Sequence, residues 1–350
     1  MGTVTLVLLV VALLGVVIFQ IAKANEYVAQ LKGEEAADEE TDHINAWLWL
    51  AFGALFFIGI WWTTADSWPR MILESSSVHG RWIDFSFNLT TLFCGIVFVA
   101  THVALFWFAY KYRGKRGQVA YFYPENNKLE MIWTIVPAIV LTVLIVIGLY
   151  NWFRITGPAP DNAHVVEVTG RQFSWVIRYP GKDGALGKRE FKLIDEVNSV
   201  GVDFSDPESR DDIIYNNEIH VMVNRPVLLK INARDVIHNV GIPHFSVKMD
   251  AVPGMPTHFW FTPLFTTEEM ALKTGNPNFA YEIACDMLCG KGHSNMRGVV
   301  VVHDKESFYE WYNKQPSFYD TQVKGTELEK KFALKTDGTA DAASLVNNIK

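Results

Sequence analysis

The sequence predicts a membrane-anchored all-β protein, with transmembrane helices first and a β-sandwich or barrel after them. Three observations predict it. Four long stretches without Asp, Glu, Lys or Arg, 1–22, 44–65, 85–110 and 131–153, fill the first part of the chain. Each is long enough to cross a bilayer, which takes about 20 apolar residues. From Val165 the pattern changes to short alternating apolar runs separated by turn residues, the signature of strands in a sandwich or barrel. The apolar content, 49% of 350 residues with mean hydropathy +0.10, is concentrated in the first half, which separates a membrane part from a soluble part. The net charge of −7 speaks against a nucleic-acid partner.

The first stretch, 1–22, has no basic n-region and no clear small-residue cleavage site before Lys23, so a retained helix is expected over a signal peptide. The run after the third stretch, Lys111-Tyr-Arg-Gly-Lys-Arg116, is strongly basic and belongs on the cytoplasmic side. That places the amino terminus and the long carboxy-terminal part outside. Trp47, Trp49, Trp61, Trp62 and Trp68 surround the second stretch. They read either as an interfacial belt or as a contact surface for another membrane protein. The third stretch carries Cys94, read as a small buried residue, and His102, read as a polar packing contact although an intramembrane His is a functional candidate. In the fourth, Glu130 stands at the cytoplasmic end, where a helix N-terminus favours an acid. Pro137 should kink this helix, which neighbouring helices can tolerate.

The expected strands are 165–169, 172–179, 218–223, 227–232, 259–262 and 299–303. The polar run Lys182–Asn217 reads as a surface insertion. Residues 306–313 suit a short amphipathic helix. Residues 320–350 show no packed-core pattern and read as partly disordered or wrapped on a partner. No C-x-x-C-H haem-attachment motif occurs, so no fused cytochrome c is expected.

The chemistry is concentrated in Cys285-Asp-Met-Leu-Cys289-Gly-Lys-Gly-His293-Ser-Asn-Met296, with His238 upstream in Asp235-Val-Ile-His238. The chain has three Cys, and two are here. A disulfide is one reading, but it leaves His293 and Met296 at ligand spacing unexplained. Structural zinc is another, although zinc has no use for Met. Soft sulfur with imidazole favours copper. A single blue-copper centre needs one thiolate, two His and a weak Met. Here a second thiolate is available to bridge two ions.

These residues resemble subunit II of the haem–copper oxygen reductases, the cytochrome c oxidase family, whose pattern is C-x-E-x-C-G-x-x-H-x-x-M with an upstream D-V-x-H. The resemblance covers residues 85–304 and implies a cupredoxin-like fold holding a dinuclear copper centre (CuA, two Cu ions). Cys285 and Cys289 would bridge the ions, and His238 and His293 would each ligate one. Met296 would be a weak ligand, as would the backbone carbonyl of Met287. The family usually has Glu at that last position, helping to hold a magnesium ion at the interface with subunit I. A thioether is a poor ligand for a hard cation, so Met287 calls that magnesium ion into question. Asn127-Lys-Leu-Glu130-Met-Ile-Trp133-Thr-Ile-Val-Pro137 is similar to the family's L-E-x-x-W-T-x-x-P stretch, where the Glu lies at the mouth of a proton pathway into subunit I. Asp250, in Lys248-Met-Asp-Ala-Val-Pro-Gly254, is similar to a stretch near the subunit I interface, although its simplest reading is a turn residue. Electron entry in the family uses G-x-Q-W-x-W. Here that reads Gly170-Arg-Gln-Phe173-Ser-Trp175, with Phe173 for the first Trp and Trp175 kept.

The resemblance divides the chain into an N-terminal extension with two predicted helices (1–80), a transmembrane hairpin (81–155), a cupredoxin domain (160–310) and a polar tail (311–350). It implies the electron-entry subunit of a respiratory terminal oxidase in a bacterial inner (plasma) membrane. Its partners would be subunit I with haem and copper, subunit III and the lipid bilayer. Oxygen reduction, coupled to proton translocation, would occur in subunit I. The altered entry motif and the extra helix pair favour a membrane-bound or tethered cytochrome c donor, as in a supercomplex. Two other classes compete. A copper-delivery protein also carries C-x-x-x-C on a membrane anchor, but on a thioredoxin-like fold. A quinol-oxidase subunit keeps the fold and loses the copper ligands.

Overall fold

The computed structural model describes residues 3–71, 73–115 and 117–336. Met1 and Gly2 of the first expected span, Arg116 of the basic run and 337–350 of the tail lie outside the described residues.

Four long helices open the chain: α1 (Thr3–Lys32), α2 (Glu34–Met71), α3 (Val78–Lys111) and α4 (Asn127–Thr156). All four are long and apolar enough to cross a membrane. Each outruns its uncharged stretch, because polar turns continue the helix past the apolar core of the span. α2 is the clearest case, since its acidic first turns precede the apolar run. Gly33, at φ 88°, breaks the chain between α1 and α2, a conformation that glycine adopts without steric cost.

By contacts the chain separates into two compact units, 1–72 with 89–140, and 73–88 with 141–350. In the first, α2 lies along α3 through an aromatic ridge. Trp47 meets Tyr110 at 5.0 Å, Trp49 meets Phe106 at 5.9 Å, and Phe56 stacks on His102 at 5.4 Å. His102 also sets its Nδ1 2.8 Å from the Phe98 carbonyl, a packing contact as expected. Cys94 is exposed on α3, not buried as expected. A thiol behaves as a small apolar group, and on a helix long and apolar enough to cross a membrane it needs no cover from this chain. The Asp42 carboxylate of α2 lies against the Gly114 backbone after α3, so the acidic start of α2 and the basic run after α3 share one end. Trp61 and Trp62 remain more than two-thirds exposed.

The second unit is a sandwich of two five-stranded sheets. One has the order β3-β2-β1-β5-β8 and the other β4-β10-β9-β6-β7. The strands are β1 (His164–Arg171), β2 (Ser174–Tyr179), β3 (Ile213–Asn216), β4 (Glu218–Met222), β5 (Val227–Ala233), β6 (His238–Ile242), β7 (Val247–Ala251), β8 (Thr257–Phe261), β9 (Tyr281–Cys285) and β10 (Arg297–His303). The cupredoxin-like sandwich is therefore present, with β1 parallel to β5 and β4 parallel to β10. Val166, Val168, Ile177, Leu229, Ile231, Val240 and Ile283 are among the fully buried side chains between the sheets. β-branched residues suit this pleated, enclosed surface. The segment before α3 also belongs to this unit. Ser76 N–H donates to the His244 carbonyl and Ser77 Oγ to the Phe245 carbonyl, and Ser75, Ser76 and Ser77 are buried.

Two expectations change here. The run 182–217 is not only a surface insertion, because Val200, Val202 and Phe204 are buried. The described part of the tail covers them. α6 (Lys305–Asn313) is followed by a π-turn at Tyr319–Val323 and by α7 (Glu327–Thr336), and Val323 and Phe332 complete this second core. The apolar residues on either side are too few and too scattered to announce a core alone, but together they bury one another. α5 (Thr267–Thr274) bridges β8 and β9 and carries a capping box from Thr266 to Glu269.

Candidate metal centre

One end of the sandwich gathers the soft donors. His238 opens β6, Cys285 closes β9, and the β9–β10 loop carries Cys289, His293 and Met296. The register sets Val240 opposite Cys285, so the β6–β9 ladder positions the two ligand-bearing strand ends. The loop then turns through a short helical turn, His293–Asn295, before β10.

The Sγ atoms of Cys285 and Cys289 are 3.9 Å apart. Nδ1 of His238 lies 3.8 Å from Cys285 Sγ, and Nδ1 of His293 lies 3.6 Å from Cys289 Sγ. Met296 Sδ is 3.9 Å from Cys289 Sγ, and the Met287 carbonyl is 3.1 Å from Cys285 Sγ. The ligand atoms of His238, Cys285 and Cys289 all fall within 4.8 Å of one another. His238 and Met296 are fully buried, and the two cysteines nearly so. Both thiols are free, and no disulfide joins them. Burial and the adjacent Cys285 thiol push the Cys289 thiol up to about 11. Two charged sulfurs at this spacing therefore need a positive charge between them, which a bound metal supplies. Two thiols, two imidazoles and a thioether fit copper and do not fit a hard cation.

The imidazole of His238 is oriented from outside the cluster. Its Nε2 lies 2.8 Å from Asp235 Oδ1. A carboxylate accepts only, so Nε2 carries the proton and Nδ1 turns its lone pair toward the sulfurs. Burial works against an ionised Asp235, but the N–H groups of Gln172, His238 and Val236 outweigh it and hold this carboxyl below its usual range. Gly170, on β1, lies under the ring, and a Cβ there would come within 2.8 Å of His238 Cδ2. Trp175 is fully buried, with its ring centroid 6.1 Å from that of His238.

Phe173 is partly exposed, and its ring rests on Gly290 and Gly292 of the ligand loop. Met287 turns an exposed side chain outward. Its soft thioether offers no hard donor, so this position does not fit a magnesium ion. Asp250 lies on β7, where its Oδ1 accepts from Asn239 Nδ2 at 2.6 Å. Glu130 stands in the first turn of α4, with Oε1 3.4 Å from the Asn126 N–H, and belongs to the other unit. Sequence reasoning missed Asp235 and Gln172 as supports of the cluster. Asp235 lay within the quoted D-V-x-H, three residues before the ligand His. Gln172 lay within the quoted entry motif.

Two family descriptions match the chain. "Cytochrome C oxidase subunit II, periplasmic domain" matches residues 164–303, and "Cytochrome C oxidase subunit II, transmembrane domain" matches residues 67–152. The chain belongs to the cytochrome c oxidase subunit II family. Among relatives of subunit II, the alternative cytochrome c oxidase subunit 2 of Bradyrhizobium diazoefficiens is 30% identical over 290 residues, 81% of this chain and 96% of that one. Cytochrome c oxidase subunit 2 of Thermostichus vulcanus is 29% identical, covering 69% and 77%. Among solved structures, the periplasmic domain of subunit II of cytochrome oxidase (CoxB) of Bradyrhizobium japonicum is 25% identical, covering 49% of this chain and 98% of that one, with TM-score 0.31. As a subunit II, this chain is part of a haem–copper oxidase, an oxidoreductase complex.

Proposed function

We propose that this subunit II is the electron-entry subunit of its oxidase and that the cluster holds a dinuclear copper centre. The observation that carries the reading is the pair of free thiols 3.9 Å apart, each with an imidazole nitrogen within 3.8 Å. Cys285 and Cys289 would bridge two copper ions, and His238 and His293 would cap one each. Met296 and the Met287 carbonyl would be the weak outer ligands. When bound, such a pair supplies one-electron redox chemistry shared over two ions. The residues of the chain contribute the rest. Asp235 fixes the His238 ring, and the buried strand ends hold the thiols at one spacing. Phe173 covers the loop glycines and, with Trp175 behind His238, lines the side where an electron would enter.

The donor in this reading is a membrane-bound or tethered cytochrome c. Supporting it, Phe173 stands where the family has Trp, and Trp61 and Trp62 of α2 are exposed for a membrane partner. The acceptor is haem in subunit I, where oxygen would be reduced to water with proton translocation, and subunit III completes the complex. Glu130 is a proton-entry candidate because it sits at the end of α4 nearest in sequence to the basic run. Asp250 is a candidate for the subunit I interface. In this reading Lys111, Arg113 and Lys115 face the cytoplasm of a bacterial cell, and the amino terminus and the copper domain lie outside the inner membrane.

The test is to purify the full chain in detergent, load it with copper, count the metal and record its EPR spectrum. Two coppers per chain with a seven-line hyperfine pattern, from one electron shared over two equivalent nuclei of spin 3/2, is the expected result. One copper with four lines, or a colourless Cu(I) site that hands copper to acceptors, would sink the reading.

A further inference from the structure

Gln172 precedes Phe173 in the turn between β1 and β2, and three loops meet on it. Its backbone N–H donates to Asp235 Oδ2 at 2.7 Å. The other oxygen of that carboxylate, Oδ1, holds His238 Nε2 at 2.8 Å. The side-chain Nε2–H of Gln172 donates to the Cys289 carbonyl at 2.6 Å. One residue thus ties the strand end bearing a histidine ligand to the loop bearing a thiol ligand. Phe173 continues the tie by packing, since a Cβ at Gly290 or Gly292 would come within 3.0 or 2.5 Å of its ring. The Cys285 side of the cluster is already held by the β6–β9 ladder and by the Cys285 N–H on the Met296 carbonyl. Cys289 lies beyond that ladder, in the loop, where a backbone can shift.

We propose that Gln172 is a positioning residue of the metal centre, a strut that fixes the spacing between the His238 half and the Cys289 half. This rests on the copper reading above. A hydrogen bond to the carbonyl of a ligand residue limits the movement of its thiolate, and the Asp235 link makes the two halves move together or not at all. Groups that orient ligands from outside the coordination sphere commonly change metal affinity by about 10- to 100-fold when removed, and a site is only as well held as its supporting shell.

The experiment uses the full chain in detergent, unmutated and as Gln172→Leu, Asp235→Asn and the double variant. Gln172→Leu removes the side-chain donor while keeping the backbone N–H and much of the bulk. Copper release to a chelator, the EPR hyperfine pattern and the thermal midpoint of the copper-free chain are measured for each. Gln172→Leu should release copper about tenfold faster, with hyperfine lines no longer evenly shared between two nuclei and an unchanged copper-free midpoint. The double variant should fall short of the summed single effects, as for residues in one network. Release and spectrum identical to those of the unmutated chain would overturn the proposal. So would faster release matched by a lower copper-free midpoint, because Gln172 would then serve the fold alone. An unmutated chain that takes up no copper pair overturns the copper reading itself, and the strut with it.

Discussion

Gly170 shows how a single missing side chain shapes the cluster. Its hydrogen faces the His238 ring, where a Cβ would meet Cδ2, Cγ and Cβ at 2.8, 3.0 and 3.1 Å. The ring has no room to retreat, since it is fully buried and bonded to Asp235. Gly170→Ala should therefore cost about 1–3 kcal/mol, as overpacking does. It should also lower copper affinity in a competition titration, because His238 must turn; an unchanged affinity would place the ring farther from Gly170. A second residue prediction concerns the bridge. Cys289→Ser removes one of two thiolates and leaves Cys285 with His238. The variant should bind one copper and give four hyperfine lines instead of seven, counted by metal analysis and EPR. The donors were readable in the sequence because four of them share twelve consecutive positions. The supports were not, because Gln172 reaches Asp235 across 63 residues and Cys289 across 117.

At the scale of elements, six strands were legible as short apolar runs between turn signals, and β3, β6, β7 and β9 were not. β6 reads His-Asn-Val-Gly-Ile, where Asn and Gly weaken any strand signal. Its burial on every residue comes from neighbours on both sides, which no local pattern encodes. β9, Tyr-Glu-Ile-Ala-Cys, ends where the ligand stretch begins, at Cys285, and β3 lies within the polar run 182–217. The second core was invisible for a related reason. Phe204 is fully buried against Phe332, at 5.3 Å between ring centroids, and Phe318, at 6.0 Å, residues more than a hundred positions away. Truncating such a side chain removes its buried area and leaves a cavity. Phe204→Ala should cost about 3–5 kcal/mol of local stability. Limited proteolysis should then cut within 182–217 and 318–336 well before it cuts the sandwich. Simultaneous cutting throughout would mean that the two cores unfold as one.

The sandwich as a whole carries a pH dependence to which its buried histidines contribute. Burial, aided by Arg225, holds His164 down at about 4. Burial, aided by His303, holds His220 down at about 3. His220 lies between elements: its ring stacks on Trp311 of α6 at 3.8 Å, and its Nδ1 meets His303 Nε2 at 2.8 Å. In the unfolded chain a histidine takes a proton near 6.5. Between that value and the depressed folded one, the unfolded state binds more protons, so stability rises with pH. The contribution is complete above about 6.5 and is lost as pH falls toward 4 for His164 and 3 for His220. Asp212 opposes this. Burial pushes it up to about 7 against the pull of Arg178, so its effect in the same window has the other sign. A single stability curve mixes the two, but a difference between variants does not. His220→Gln keeps a polar side chain beside His303 and cannot be protonated. Its thermal midpoint should change less between pH 6.5 and 4 than that of the unmutated chain, with Asp212 cancelling because both carry it. Equal slopes would mean that His220 is already charged in the fold, shielded by Glu218, whose carboxylate lies 2.9 Å from Nε2.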